Sequence, residues 1–138
     1  MSAQMTRNFG GRDAASPVNA AQTGDRPIDL VYLSRQTLGD RELEIELLGL
    51  FERQAGLIVR QITNVGGAGD RRLRHDLAHT LKGSARAVGA AAVAATAQAF
   101  EDALYAGAAE NEVSAALAAL QTAVDDARAA VVALLGDK

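Results

Sequence analysis

After Pro27 the chain runs to Lys138 without another proline, and the only other proline, Pro17, lies in the same leading stretch. Proline breaks helices by removing a backbone donor and clashing with the preceding turn, so everything beyond Pro27 is free to be helical. Alanine, the best helix former, is strongly over-represented, and 49% of the 138 residues are apolar. A chain of this length can bury one core. The expected fold is all-α, in a single domain.

Residues 1–26 mix Gly, Ser, Asn, Thr and Gln with isolated charges and no apolar period, which predicts a disordered tail. From Ile28 the composition changes. Ile28, Leu30, Val31, Leu33 and Leu38 suggest a short helix that begins near Asp29, is ended by Gly39 and lids one end of the domain. Asp40 is suited to cap a long helix whose stripe is Leu43, Leu47, Phe51, Ala55, Ile58 and Ile62, ending before Gly66-Gly67-Ala68-Gly69. Those glycines are no phosphate loop, because no strand precedes them and no Lys-Ser/Thr pair follows. Asp70 is expected to cap a third helix that runs to Val88 before Gly89. Ala90 to Tyr105 resumes the spacing through Val93, Ala97, Phe100 or Glu101, and Leu104. Asn111 is expected to cap the last helix, with the stripe Val113, Leu117, Leu120, Val124, Ala127, Val131 and Leu134. Four amphipathic helices joined by short turns predict an antiparallel up-down-up-down four-helix bundle over residues 28–135, preceded by the short extra helix.

The segment His75-Asp-Leu-Ala-His79-Thr-Leu-Lys82-Gly83-Ser84-Ala-Arg86 holds residues a helix has no structural reason to prefer. Projected on a helical wheel, Leu73, Leu77, Leu81, Ser84, Ala85 and Val88 form the expected core face. Arg72, His75, Asp76, His79, Lys82, Gly83 and Arg86 fall opposite, with His79 near the middle of that polar arc. Gly83, one turn after His79, costs about 1 kcal/mol relative to alanine inside a helix. Clearance for a bulky group on the histidine accounts for it better at an exposed position than close packing does. Arg71, Arg72, Arg74, Lys82 and Arg86 make a basic patch on a chain of net charge −3. That net charge argues against a general nucleic-acid binder.

His75 and His79 share a face and loosely resemble the zinc-protease pattern His-Glu-x-x-His. The match is poor, because aspartate replaces the general-base glutamate and Lys82 and Arg86 oppose a dication; no metal site is expected. With no cysteine there is neither a disulfide nor a thiolate site. No apolar run approaches the roughly 20 residues of a membrane span, and no signal-peptide segment is evident, so a soluble, cytoplasmic protein without membrane contact is expected.

His79-Thr-Leu-Lys82-Gly83-Ser84-Ala, followed by Gly89-Ala90, resembles the signature of histidine-containing phosphotransfer (HPt) domains of bacterial multistep phosphorelays. The resemblance covers about residues 28–135 and includes Asp29-Leu30-Val31-Tyr32-Leu33 and Gly39-Asp40. It implies that His79 is the phosphoacceptor, that Lys82 stabilises the phosphoryl group and that Gly83 gives it space. Gln98, Glu101 and Ser84 are expected around the histidine, Glu101 orienting its ring, and Arg72, His75 and Arg86 on the docking surface, with Val88 or Leu38 as apolar contacts. Ala85 departs from the small polar residue often found there, on what the wheel makes a buried position. The implied partners are receiver domains of a hybrid histidine kinase and of a response regulator. The chain needs no cofactor of its own, Mg²⁺ coming with the receiver, and is expected to be a monomer. Two other readings compete. A histidine-kinase dimerisation and phosphoacceptor fragment typically has an acid and then a proline after its histidine, where Thr80 and Lys82 stand here. A plain helical interaction module would leave His79 incidental.

Overall fold

The computed structural model describes residues 26–65 and 70–136; all of the expected tail but Arg26, and the segment Gly66-Gly67-Ala68-Gly69, lie outside them. Among the described residues there are five helices and no strand: α1 Leu30–Thr37, α2 Arg41–Asn64, α3 Arg71–Val88, α4 Ala91–Tyr105 and α5 Glu110–Gly136. Helix α3 packs against α2 and α4, and α5 against α4 and α2, which closes the four long helices into a ring around one core. Helix α1 packs against α2 and α3.

The core follows the expected stripes in α4 and α5 but departs at the start of α2, where Leu43, expected in the core, is 38% exposed and Leu48 is buried in its place. Phe51 and Ile62 from α2, Leu81 from α3, Phe100 from α4, and Leu120 and Val131 from α5 are fully buried. Each side chain of that size contributes roughly 1.5–3 kcal/mol on leaving water. Ile28 and Leu33 carry the core up into α1. Local chemistry sets two of the helix starts as expected: Asp29 accepts from the Tyr32 amide at 3.0 Å and Asp40 from the Leu43 amide at 3.1 Å.

Two expected caps differ. Asp70 precedes α3 with φ −105° and ψ 9°, away from the extended conformation that aims a capping side chain at the helix, and it makes no capping bond. Helix α5 begins at Glu110, its first free amides returning to the Ala109 carbonyl, so Asn111 lies inside the first turn rather than capping it.

The α3–α4 turn fixes where α1 sits. Gly89 has φ +79° and ends α3, the Ala90 amide returning to the Ala85 carbonyl at 2.8 Å. Its carbonyl accepts from the Asp29 amide at 2.9 Å, and a Cβ at Gly89 would stand 2.9 Å from the Asp29 carbonyl oxygen. Only glycine satisfies both the left-handed backbone and that approach. Leu38, at the other end of α1, is itself left-handed with φ 56° and 93% exposed.

Candidate functional site

Helix α3 is turned differently from the wheel reading. Its buried residues are Ala78, Leu81, Lys82, Ala85 and Val88, while Leu73 is exposed and Leu77 and Ser84 are half-buried. The reason lies in the neighbour. Helix α4, alanine-rich, packs against α3, and Ala78 and Ala85 are as fully buried there as Leu81. Lys82, expected on the open polar arc, is therefore only 8% exposed and lies along the seam between α3 and α4.

That seam assembles a polar cluster inside an apolar interface. Glu101 projects from α4 and is 5% exposed. Its Oε1 is 3.3 Å from His79 Nδ1 and 3.6 Å from His75 Nε2, and its Oε2 is 3.2 Å from Lys82 Nζ. A buried carboxylate is tolerated when cations compensate it, which Lys82 does here. Oε2 is nevertheless buried without a hydrogen bond, the lysine lying close but out of line. Lys82 donates instead to Gln98 Oε1 at 2.7 Å, and Gln98 donates through Nε2 to Asp102 Oδ1 at 2.8 Å, which sets the direction of the amide.

The imidazole of His79 stands at the rim of this cluster with its side chain 66% exposed. A carboxylate only accepts, so the contact with Glu101 puts the hydrogen of a neutral His79 ring on Nδ1 and leaves the lone pair on Nε2. His75 lies one turn back, its ring within 5° of parallel to that of His79 and 6.5 Å away between centroids. Gly83 is exposed, and a Cβ built on it meets no atom within 4 Å outside the helix backbone. Close packing is thus not the reason for this glycine.

The structure brings His79, Lys82, Gln98, Glu101 and His75 together and leaves other expected residues apart. Ser84 turns toward α2, where its hydroxyl donates to Gln54 Oε1 at 3.3 Å. Val88 is buried, leaving it unable to offer a docking contact. The basic patch is thinner than its composition suggests. Arg71 donates to the Leu104 carbonyl at 2.6 Å, and Arg74 donates to the Ile62 carbonyl and lies over the Phe100 ring. With Lys82 also turned inward, Arg72 and Arg86 are the exposed cations of the segment, and Arg72 is 3.9 Å from Asp76. Arg86 borders a cleft of about 360 Å³ with Tyr32, Ala91 and Ala94. Asp102, which orients Gln98, was missed by the sequence reading; its signal was the i, i+4 spacing from Gln98.

Among the described residues no three His, Cys, Asp or Glu side chains cluster so as to hold a metal ion, and no helix is long and apolar enough to cross a membrane. A model of the Hpt domain matches residues 46–130. No curated protein and no solved structure matches the chain.

Proposed function

The chain belongs to the Hpt domain family, a class of histidine phosphotransfer modules in phosphorelays, and from that premise we propose that it carries a phosphoryl group on His79 between receiver domains. The observation that carries this reading is the exposed His79 ring, held through Nδ1 by the buried Glu101. The Nε2 lone pair attacks the phosphorus of a receiver's aspartyl phosphate. The N–P bond forms as the acyl P–O bond breaks, and the bonding pair leaves on the receiver's carboxylate. The ring, now phosphorylated at Nε2 and still protonated at Nδ1, is positive and faces Glu101. Transfer onward reverses these movements at the aspartate of a second receiver.

Such transfers depend on positioning and charge neutralisation more than on covalent help from the protein. Glu101 sets the ring, Lys82 compensates the charge of Glu101, and Gln98 holds Lys82. For Lys82 to touch a phosphoryl oxygen, a further one of its three ammonium N–H groups must turn toward the phosphate one turn away. Gly83 leaves the space into which the group and the partner's loop come. The chain needs no cofactor of its own in this scheme, since Mg²⁺ comes with the receiver. Arg72, His75 and Arg86 flank the approach, and the half-exposed Tyr32 and fully open Leu38 offer apolar contact on the α1 side.

An antiparallel bundle belongs to the same reading. Arg74 and Ser84 of α3 meet Ile62 and Gln54 of α2, Arg71 and Lys82 of α3 meet Leu104 and Gln98 of α4, and Gln121 and Arg128 of α5 meet Thr63 and Glu52 of α2. In each pair one numbering rises as the other falls. A self-contained core of four helices also speaks against a kinase fragment that must dimerise through two.

Incubation with a receiver bearing ³²P-labelled aspartyl phosphate tests the proposal. Label should pass to the wild-type chain and fall to background in His79→Gln. Transfer that survives the substitution, or labelling from ATP alone, overturns it.

A further inference from the structure

Two imidazoles face one carboxylate oxygen. Glu101 Oε1 is 3.3 Å from Nδ1 of His79 and 3.6 Å from Nε2 of His75, and the two rings lie nearly parallel one helical turn apart. The other nitrogen of His75, Nδ1, is 3.7 Å from Asp76 Oδ1, and the Asp76 carboxylate is in turn 3.9 Å from Arg72. His75 thus stands between two carboxylates, and the deeper of them is the one that sets the ring of His79. Across the seam Lys82 meets the other oxygen of Glu101, and among the described residues no charged side chain of α1 or α2 pairs with His75.

The two protonation states of His75 treat the shared oxygen differently. A neutral imidazole has one N–H and one lone pair, so it cannot donate to Asp76 and Glu101 together, whereas the imidazolium donates at both nitrogens. Charge-assisted hydrogen bonds close to about 2.7–2.9 Å and are roughly twice as strong as neutral ones. A cationic His75 therefore outcompetes the neutral N–H of His79 for Oε1. The His79 contact is already long at 3.3 Å, and an oxygen that closes on one ring draws away from the ring one turn along. We propose that His75 is a positioning residue that acts through Glu101. Neutral, it leaves the carboxylate to His79; protonated, it takes the carboxylate and releases the reacting ring from the tautomer that presents Nε2.

The same charge has a second effect of opposite sign, since an imidazolium also attracts the phosphoryl group. That group sits on Nε2 at the exposed rim, in water, whereas Glu101 is 3.6 Å from His75 and only 6% exposed. Coulomb energy falls with distance and with dielectric, so the nearer and drier contact decides the sign. Acid slows acceptance beyond what protonation of His79 itself does. The consequence for transfer rests on the phosphotransfer reading; the competition for Glu101 does not.

Nitrogen-15 NMR of the imidazoles in the unphosphorylated full chain tests that competition. At about pH 8, where a histidine ordinarily carries no charge, the wild type and His75→Gln should both show His79 protonated on Nδ1. His75→Lys, a cation throughout, should lose that signature. His75 lies at the rim with its side chain 37% exposed, so both variants should keep the helical circular dichroism of the wild type. Transfer from a labelled receiver reads the consequence, each protein compared with itself at about pH 8 and about pH 6 so that any change in docking cancels. The wild-type rate should fall roughly 3- to 10-fold further than that of His75→Gln, as for a slightly misplaced reacting ring. His75→Lys should be slow at both, although an added cation would by itself speed encounter with an anionic partner. A His79 tautomer indifferent to His75→Lys overturns the proposal, as do equal falls in acid for the wild type and His75→Gln. Loss of the Nδ1–H signature in His75→Lys with no transfer to the wild type at either pH would uphold the competition for Glu101 and sink the phosphotransfer reading instead.

Discussion

Two seams of the bundle use the same three ingredients, a glutamate, a cation and a helical glycine, and end in opposite states. Between α2 and α5, Arg128 lies over Gly56 and donates to the Glu52 carboxylate at 2.7 and 3.1 Å and to the Glu52 carbonyl at 3.1 Å. A Cβ at Gly56 would stand 2.6 Å from the guanidinium carbon. That glycine makes room for a side chain of its own protein, and the seam is closed. Between α3 and α4, Glu101 draws Lys82 and two imidazoles to itself, one ring remains exposed, and among the described residues nothing fills the space at Gly83. This second seam is open at its rim.

The difference predicts unequal responses to removing the cation. Lys82→Met strands a buried carboxylate in an apolar seam and should cost about 3 kcal/mol, read from urea unfolding, with most of the loss recovered in Lys82→Met combined with Glu101→Gln. Arg128→Met removes a cation that is more than a third exposed, and its ion pair should be worth less than about 1 kcal/mol. Equal losses at the two sites would break the distinction.

The glycines should separate next, in function rather than stability. Gly83→Leu should leave the unfolding midpoint unchanged or slightly raised while slowing phosphotransfer by roughly 10- to 100-fold, as a misplaced reacting group does. Gly56→Leu should cost about 1–3 kcal/mol through overpacking and leave transfer in the remaining folded protein near normal. The alanine changes are the smallest: Gly83→Ala should stabilise by about 0.5–1 kcal/mol because alanine fits the open helix surface. Gly56→Ala should gain less, since Arg128 must first move.

This contrast was only half legible in the sequence. Gly83 could be placed one turn from His79 by counting, and spacing offered Phe100 or Glu101 as one stripe position, where both prove buried. Asp29 and Asp40 announced their helices because a capping carboxylate needs only its own extended backbone. Asp70 failed because its backbone is not extended. Lys82 was misplaced because a wheel assigns the whole side chain to the direction of its Cβ, whereas a lysine can lay its stem along a seam and carry the ammonium inward. Leu73 was taken for core and Ala78 overlooked because apolar size dominates a projected stripe, whereas the tertiary packing buries the alanine and leaves the leucine exposed. Gly56 drew no attention, since its partner is far away in sequence and nothing local points to Arg128.

The central claim is that the phosphoryl group resides on Nε2 of His79 with Nδ1 held by Glu101. Nitrogen-15 NMR of the imidazoles, recorded on the chain after phosphorylation by a receiver, reads this most directly. The account predicts phosphorus coupled to Nε2 of His79, a proton retained on Nδ1 and His75 unmodified. Phosphorus on Nδ1 of His79, or on either nitrogen of His75, would contradict it.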